Sequence, residues 1–495
     1  MLIRSVILFL ATFISLFNPL INIQGNSGHD ELEEIQIKPP DDFIVEAFPD
    51  APYHIGDFLS FRVTYTGSEA IRGEEINLSL AASPEDVIQT VTFSNHSQEA
   101  VFYWVVDTTS YQPGWLAFHF SMPERNQEWT YGVQLLPAPP GRPSEWVTVH
   151  TACCTIHYLP GSDAEDQIGI IQQILEEQAS EALDQFSSQI DPDENPLANP
   201  LPLVLIPIVV GQGGFATETA VLTYTSRNWV GIQLEMLAHH EIVHVIDRTI
   251  NEGSRPSLFS EGIAVYLAGG HYRKGDALER AAALLEQDLY LPLAEFTNDF
   301  YAAQHEISYM QAAGLVAYLV EIWGWETFLN FYFNLPDEEV SDFEIISSAL
   351  EAAHGMGLED LEQDYINYLA SLSPGEEVKK DVRLTVETYD LIRRYQSLVV
   401  PSANFRSAWW PPIDKMLEED IVGDYAYREK SPLNVIIEAL FLEIHQAFES
   451  GNFEQIEINL STIKNHLDQV ESDGGIPSHY DLGWFNKPLL LPGQP

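Results

Sequence analysis

The sequence predicts a multidomain protein with an N-terminal all-β sandwich of immunoglobulin-like type, an α+β domain and a C-terminal helical domain. Three observations support this prediction. The chain has 495 residues, which exceeds the usual size of a single core and suggests about three domains. Short segments that alternate apolar with polar residues precede residue 137, and apolar residues at helical spacing dominate from residue 236 onward. A proline-rich linker, PAPPGRP, follows the alternating segments.

The first predicted domain, residues 45–137, contains the alternating segments. They are rich in Val, Tyr, Phe, Trp and Thr, and turn residues separate them: YHIGDFLSFRVTYTG, EEINLSLAAS, QEAVFYWVVD, GWLAFHFSM and WTYGVQLLP. Short strands at regular spacing are typical of an immunoglobulin-like β-sandwich. The cysteine pair that marks antibody domains is absent from these segments.

The second predicted domain, residues 146–372, mixes strands and helices. WVTVHTACCTIHYL predicts one or two strands, DAEDQIGIIQQILEEQASEALDQF a long amphipathic helix, and PLPLVLIPIVV a buried strand. A Gly-rich turn and a further strand follow, and then helices dominate. The break SPGEEV precedes the third predicted domain, residues 377–475, whose pattern is helical and shows no motif with chemistry.

The charge balance limits the classes of partner. The chain carries 23 Lys and Arg against 74 Asp and Glu, a formal net charge of −51. This balance argues against nucleic acid and anionic membrane surfaces as partners, because both need a basic surface. Acidic residues spread over solvated faces account for the charge, and adaptation to a saline environment is the alternative.

The N-terminal residues 1–28 resemble a secretory signal peptide. One basic residue, Arg4, precedes an apolar run, and a polar stretch of small residues follows. No A-x-A cleavage site is clear, so an uncleaved membrane anchor is the alternative. The sequence therefore predicts a secreted or extracytoplasmic protein that contacts a membrane only through this segment. The oligomeric state does not follow from the sequence.

The two cysteines of the chain, Cys153 and Cys154, are adjacent. They cannot connect distant segments, and successive side chains of a strand point to opposite faces. The sequence therefore favours two small residues in a strand over a strained disulfide between neighbours.

The segment MLAHHEIVHVIDRTI contains the strongest candidate site. His240 and His244 are four residues apart, which places both imidazoles on one face of a helix. Glu241 lies about 100° round the helix, where it can hydrogen-bond a metal-bound water. His239 is excluded because no histidine lies four residues after it. The pattern is H-E-x-x-H, two metal ligands and a general base, and an ordinary helix with surface histidines is the alternative.

A third ligand is expected in the next helical segment, LFSEGIAVYLAGG. A catalytic zinc site needs three protein ligands and an open fourth position. Glu261 is the first acidic residue of this segment. Gly262 and Ala264 follow it, and such small residues would let the two helices pack closely enough for Glu261 to reach the metal.

These motifs resemble the gluzincin zinc metallopeptidases, and among them the peptidase MA-like domains, which are distant relatives of thermolysin and aminopeptidase N-like enzymes. The matching text is HHEIVHVID, LFSEGIAVYL and the weaker SYMQAAGLVAYLVEIWGWETFLNFY. The resemblance covers roughly residues 147–372 and implies a zincin fold there. It implies His240, His244 and Glu261 as ligands of Zn²⁺ and Glu241 as the catalytic base.

The resemblance also indicates the cleavage specificity and a hydrogen-bond donor for the oxyanion that forms during peptide hydrolysis. The gap between the second histidine and the third ligand is shorter than in aminopeptidase N-like enzymes, and no exopeptidase signature is present, so an endopeptidase is favoured. Related enzymes take an oxyanion donor from a later helix. Tyr309 is the candidate and His305 the alternative, although Tyr309 equally fits a core tyrosine. Gly213 and Gly214 lie where such enzymes present an edge strand to extended substrate, although a simple turn and strand is slightly favoured.

Taken together, the sequence predicts an exported zinc-dependent peptidase that acts on peptide or protein substrates through a Glu-activated, zinc-bound water. Two alternatives stay open: a surface binding or scaffold protein with a non-catalytic metal domain, and a metal-dependent hydrolase with a non-peptide substrate. Two further residues are weaker candidates. Asp247 either orients a ligand, pairs with Arg248 or faces water, and His271 is expected to be a loop residue.

Overall fold

The computed structural model describes residues 39–48, 51–93, 98–138, 145–190, 196–197, 199–206, 213–216, 219–224, 233–250, 255–298, 300–336, 340–399 and 432–472. An N-terminal β-rich region is followed by a mixed sheet and then by helices. The predicted signal segment and most of the PAPPGRP linker lie outside the described residues. No helix among the described residues is both long enough and apolar enough to cross a membrane.

Two sheets make up the β-rich region. Their strands are β1 (Phe43–Phe48), β2 (Tyr53–His54), β3 (Phe58–Tyr65), β4 (Glu75–Leu80), β5 (Val87–Thr92), β6 (Glu99–Asp107), β7 (Gly114–Met122) and β8 (Gln127–Leu136). One sheet has the order β1-β3-β6 and the other the order β2-β8-β7-β4-β5. Side chains of both sheets share one core, in which the rings of Phe61 and Phe118 lie 4.6 Å apart.

The five segments with alternating polarity all form strands, and two further strands were not predicted. β1 lies at the end of an acidic, proline-containing stretch, and β5 exposes much of its length, with Val87 49% and Ile88 43% exposed. Because β5 has no deeply buried face, it lacks the alternation that identifies strands in a sequence.

A mixed sheet lies between the β-rich region and the helices. Its strands are β9 (Val147–His150), β10 (Cys154–Tyr158), β11 (Leu201–Ile206), β12 (Gly214–Ala216) and β13 (Ala220–Thr223), in the order β12-β13-β11-β10-β9. The three inner strands are parallel, and β9 and β12 pair antiparallel at the two edges. Helix α1 (Asp163–Gln185) connects β10 to β11, as a parallel pair requires.

Cys153 and Cys154 form a disulfide bond with each other, so the prediction of two small residues in a strand is wrong. Cys153 lies in a bend between β9 and β10, and only Cys154 belongs to β10. The alternation of side chains along a strand therefore does not apply to this pair. The hydroxyl of Thr151 accepts a hydrogen bond of 3.0 Å from the backbone N–H of Cys154 and stabilises the bend.

The rest of the described chain is helical. The helices are α2 (Leu234–Ile250), α3 (Ser257–Ala268), α4 (Ala277–Glu286), α5 (Leu293–Phe296), α6 (His305–Trp323), α7 (Trp325–Phe333), α8 (Asp342–His354), α9 (Leu358–Ser371), α10 (Glu376–Val399), α11 (Pro432–Glu449) and α12 (Phe453–Ser472). A 3-10 turn, Phe300–Ala302, precedes α6. Buried side chains of α10, α11 and α12 belong to the same continuous core as those of α2, α3 and α6. The C-terminal helices therefore support the region that holds the candidate site.

Gly262 lies at the crossing of α3 and α6. A Cβ atom at this position would lie 2.7 Å from the carbonyl oxygen of Ala312 and 2.9 Å from Cγ2 of Val316, both on α6. The sequence predicted that this glycine serves the approach of α3 to the motif helix. Its close contact is instead with α6, on which α3 packs most extensively.

We expect Gly262→Ala to lower the free energy of unfolding by about 1–3 kcal/mol, because the added methyl group forces the backbone of α6 to move. Denaturant-induced unfolding of wild type and variant measures the change. Gly169→Ala in α1 is the matched control, since no atom lies within 4 Å of a Cβ built there and alanine favours a helix. Equal stability of Gly262→Ala and wild type would contradict the close contact.

Candidate metal site

The H-E-x-x-H residues lie on α2, which packs against α1, α3, the edge strand β12 and its neighbour β13. Every residue from Met236 to Asp247 is buried. His240 is 7% and His244 9% exposed, so the alternative of a helix with surface histidines is wrong. His239 points elsewhere: its two ring nitrogens lie 3.0 and 2.8 Å from the side-chain oxygens of Gln178 and Gln185 on α1.

Three side-chain atoms from α2 and α3 form a nearly equilateral triangle. Nε2 of His240 lies 3.1 Å from Nε2 of His244 and 3.3 Å from Oε2 of Glu261, and the third side is 3.2 Å. Ligands of a tetrahedral zinc site with bonds of about 2.0–2.1 Å are about 3.3–3.4 Å apart. The measured separations fit such a site, and the donor set of two imidazoles and one carboxylate suits zinc.

The pKa values of His240, His244 and Glu261 show that the three side chains interact strongly. Burial lowers the pKa of His240 to about 4. Burial also disfavours a charged His244, but the Glu261 carboxylate outweighs it and raises the pKa of His244 to about 9. Despite its burial, Glu261 has a pKa well below its usual range because of His244 and His240. One proton therefore resides between two imidazoles and a carboxylate, where a cation competes with it.

Glu241 lies beside the triangle and under the edge of the mixed sheet. It is 3% exposed and lines a cavity of about 40 Å³ together with His240 and Tyr309. A Cβ atom at Gly214 would lie 2.9 Å from Oε1 of Glu241 and 2.7 Å from the carbonyl oxygen of Val221. The backbone of β12 thus approaches β13 and the carboxylate so closely that glycine is required here.

Asp247 is buried and does not pair with Arg248 or face water, so those two predictions are wrong. Its Oδ2 lies 3.1 Å from Nε of Arg255 and accepts a hydrogen bond of 3.0 Å from the hydroxyl of Tyr332. Arg248 instead donates a hydrogen bond of 2.6 Å to the carbonyl oxygen of Ala216 in β12. Arg248 therefore connects the motif helix to the edge strand.

Tyr301 contacts Glu261 and was not predicted. From the 3-10 turn before α6, its hydroxyl donates a hydrogen bond of 2.5 Å to Oε1 of Glu261, the oxygen outside the triangle. Such a bond orients the carboxylate so that its other oxygen faces the two imidazoles. Tyr301 is 62% exposed, and no spacing connects it to the motif, so the sequence contains no signal for this contact.

We expect Tyr301→Phe to lower the affinity for zinc by about 10–100-fold, because partners of metal ligands contribute on this scale. Competition with a chelator of known zinc affinity measures the change. Tyr290→Phe provides a control, since the hydroxyl of Tyr290 is hydrogen-bonded to Glu362, away from the triangle. An unchanged affinity in Tyr301→Phe would show that the hydrogen bond does not orient Glu261.

A second group of side chains that could hold a metal ion lies next to the triangle. Oε1 of Glu306 lies 2.7 Å from Nδ1 of His271 and 3.1 Å from Nδ1 of His305. His271 lies in the loop between α3 and α4, as expected, but its ring packs flat on that of Tyr309, with centroids 4.0 Å apart. The ring of His305 stacks on Tyr389 of α10 at 4.6 Å. A helix without any chemical motif thus contributes to the surroundings of the site.

Both candidate oxyanion donors line the cavity, but their bonding differs. The hydroxyl of Tyr309 makes no hydrogen bond within the described residues, and burial raises its pKa well above the usual range, so it keeps its proton. Burial lowers the pKa of His305 to about 4, and its Nδ1 bonds to Glu306. A neutral His305 with its proton on Nδ1 has none on Nε2 to donate.

The geometry defines a buried site of two histidines and one glutamate, and both this triangle and the group of His271, His305 and Glu306 can hold a metal ion. No protein-family model matches the chain, and no curated protein is significantly similar to it.

Proposed function

We propose that the protein is a zinc-dependent peptidase of the gluzincin type, in the peptidase MA-like group. The single observation that carries the proposal is the triangle of His240, His244 and Glu261, with Glu241 beside it on the same cavity. Three protein ligands leave a tetrahedral metal with one open position, which is the arrangement of catalytic rather than structural zinc. A structural site would take a fourth protein ligand.

The roles of the side chains follow from their chemistry. His240, His244 and Glu261 would hold the zinc, which would supply a Lewis acid for the scissile carbonyl and for the attacking water. Glu241 is an acceptor that takes a proton from the attacking water and returns it to the leaving amine. The Tyr309 hydroxyl donates a hydrogen bond to the carbonyl oxygen as negative charge develops on it. We favour Tyr309 over His305, because the Tyr309 hydroxyl keeps its proton and makes no hydrogen bond within the described residues, whereas His305 is hydrogen-bonded to Glu306.

The edge strand supports a peptide as the substrate. β12 lies at the edge of the described sheet, and Gly213 and Gly214 line the cavity with Glu241. An extended peptide can pair with such an edge through main-chain hydrogen bonds, which brings its backbone to the carboxylate. Main-chain recognition requires no free terminus, so we propose an endopeptidase.

The domain architecture belongs to the same proposal. The shared core of two sheets supports an immunoglobulin-like sandwich at residues 45–137, and the mixed sheet with α2 and α3 supports a zincin domain at residues 146–372. A helical C-terminal domain at residues 377–475 completes it. We also propose that the protein is exported, on the signal-like residues 1–28.

Metal analysis combined with a peptide digest tests the proposal. The purified full-length chain is expected to contain about one zinc per chain and to cleave a proteome-derived peptide mixture at internal bonds, with loss of cleavage when the zinc is removed. Release of single N-terminal residues would instead indicate an aminopeptidase. Bound zinc without cleavage of any peptide would contradict the proposal and favour a binding protein with a non-catalytic metal site.

Tyr309→Phe is expected to lower kcat by about 10²–10³-fold with little change in bound zinc, because it removes one hydrogen-bond donor to the oxyanion. Steady-state kinetics on a peptide identified in the digest measures this. Tyr318→Phe, on the same helix α6 but away from the cavity, is the control. A fall of the same size in His305→Gln, with Tyr309→Phe unaffected, would reverse the choice of donor.

A further inference from the structure

His271, His305 and Glu306 form a preorganised group outside the triangle. His305 and Glu306 open α6, and His271 lies in the loop after α3, 35 residues before Glu306. Their ligand atoms all lie within 4.8 Å of one another. The stacking of His271 on Tyr309 and of His305 on Tyr389 holds both rings in place.

Within the described residues, only the imidazoles of His271 and His305 compensate the charge of Glu306. Its side chain is 1% exposed, and no Lys or Arg among the described residues pairs with it. Its partners are the two imidazoles, both through the same carboxylate oxygen. A buried carboxylate needs a positive partner, and a metal ion supplies more positive charge than imidazoles do.

We propose that His271, His305 and Glu306 bind a second divalent transition-metal ion. Two imidazoles and a carboxylate are ligands suited to zinc, cobalt, nickel or iron. The carboxylate oxygen lies 2.7 and 3.1 Å from the two Nδ1 atoms. Neighbouring ligands of a six-coordinate metal with bonds of about 2.0–2.1 Å are about 2.8–3.0 Å apart. The group thus fits a six-coordinate ion completed by water, whereas the triangle fits four-coordination.

The two sites are neighbours that share no ligand. The rings of His240 and His271 lie 5.7 Å apart, and both line the cavity with Glu241 and His305. His271 and His305 line this cavity, and Glu306 lines a separate cavity of about 370 Å³ together with His271. At both sites an ion must replace contacts between imidazoles and a carboxylate. Those to Glu306, 2.7 and 3.1 Å, are shorter than those to Glu261, 3.2 and 3.3 Å, so the second site is weaker than the triangle and fills after it.

Titration of the metal-depleted full-length chain with Co²⁺ tests the second site. We expect two equivalents in wild type, the first with strong visible absorption from four-coordinate cobalt and the second with weak absorption from six-coordinate cobalt. Glu306→Gln and His305→Gln are expected to lose only the second equivalent, and Glu261→Gln only the first. Glu321→Gln, an exposed carboxylate on α6, is the control and should bind both equivalents.

The wild-type titration alone can overturn the proposal. A single equivalent in wild type would show that Glu306 and the two histidines form only a hydrogen-bonded group, whether or not the variants fold. Two equivalents that both persist in Glu306→Gln and His305→Gln would place the second ion elsewhere. Because the measurement counts metal ions, its failure is distinguishable from an absence of peptidase activity.

Discussion

Glu241→Gln is expected to lower the kcat for peptide hydrolysis by about 10²–10⁴-fold while the zinc stays bound. The amide has nearly the shape of the carboxylate but cannot accept the proton of the attacking water. Glu241 is not part of the triangle of His240, His244 and Glu261, so its charge is not needed to hold the metal. Steady-state kinetics and metal analysis on the same sample separate the two effects.

The choice of control makes this result specific. Glu235→Gln removes a carboxylate from the first turn of the same helix, where the side chain is exposed and away from the cavity, and is expected to leave kcat unchanged. Full activity of Glu241→Gln with bound zinc would refute the proposed mechanism. Loss of both zinc and activity would instead place Glu241 among the groups that hold the metal.

Glu261→Gln is expected to have the largest effect on metal binding, a loss of zinc affinity of at least about 100-fold, because even an outer partner of a ligand contributes about 10–100-fold. The substitution removes the only negative charge of the triangle and leaves two imidazoles 3.1 Å apart. Competition against a chelator measures the affinity, and peptidase activity should fall in parallel unless excess zinc is supplied.

A matched variant distinguishes loss of a ligand from loss of acidic charge in general. Glu279→Gln, on the exposed face of α4, removes the same charge from the chain and is expected to keep the wild-type affinity. Excess zinc should restore part of the activity of Glu261→Gln, since His240 and His244 still bind. Wild-type affinity in Glu261→Gln would show that the carboxylate is not a ligand.

Strands and helices were predictable where apolar side chains recur at the regular period of a strand or a helix. The alternating segments became β3, β4, β6, β7 and β8, and the helical periodicity became helices such as α1, α4 and α6. The exposed strand β5 has no deeply buried face and left no such pattern. The interpretation of the two cysteines assumed that both lie in a strand, with side chains on opposite faces. Cys153 lies in a bend instead, and the two cysteines form a disulfide.

The residues of the candidate site also divide into those that local spacing predicts and those that only tertiary packing brings together. The separation of His240 and His244 by four residues determines their common face, and the helix itself brings their Nε2 atoms to 3.1 Å. Tyr301 contacts Glu261 from a segment 40 residues later, and His271 reaches Glu306 across 35 residues. Contacts of this kind depend on how α3, α6 and the loops pack, which no local pattern records.

The sequence by itself therefore determined the H-E-x-x-H helix and those strands and helices whose side chains follow a regular period, since both depend on local spacing. Only the tertiary structure decided that Asp247 pairs with Arg255, that Gly262 serves α6 and that a second group of His271, His305 and Glu306 lies beside the first. The physical reason is that periodicity specifies which face of an element is buried. It does not specify which partner covers that face, because that choice arises from close packing among segments distant in the chain.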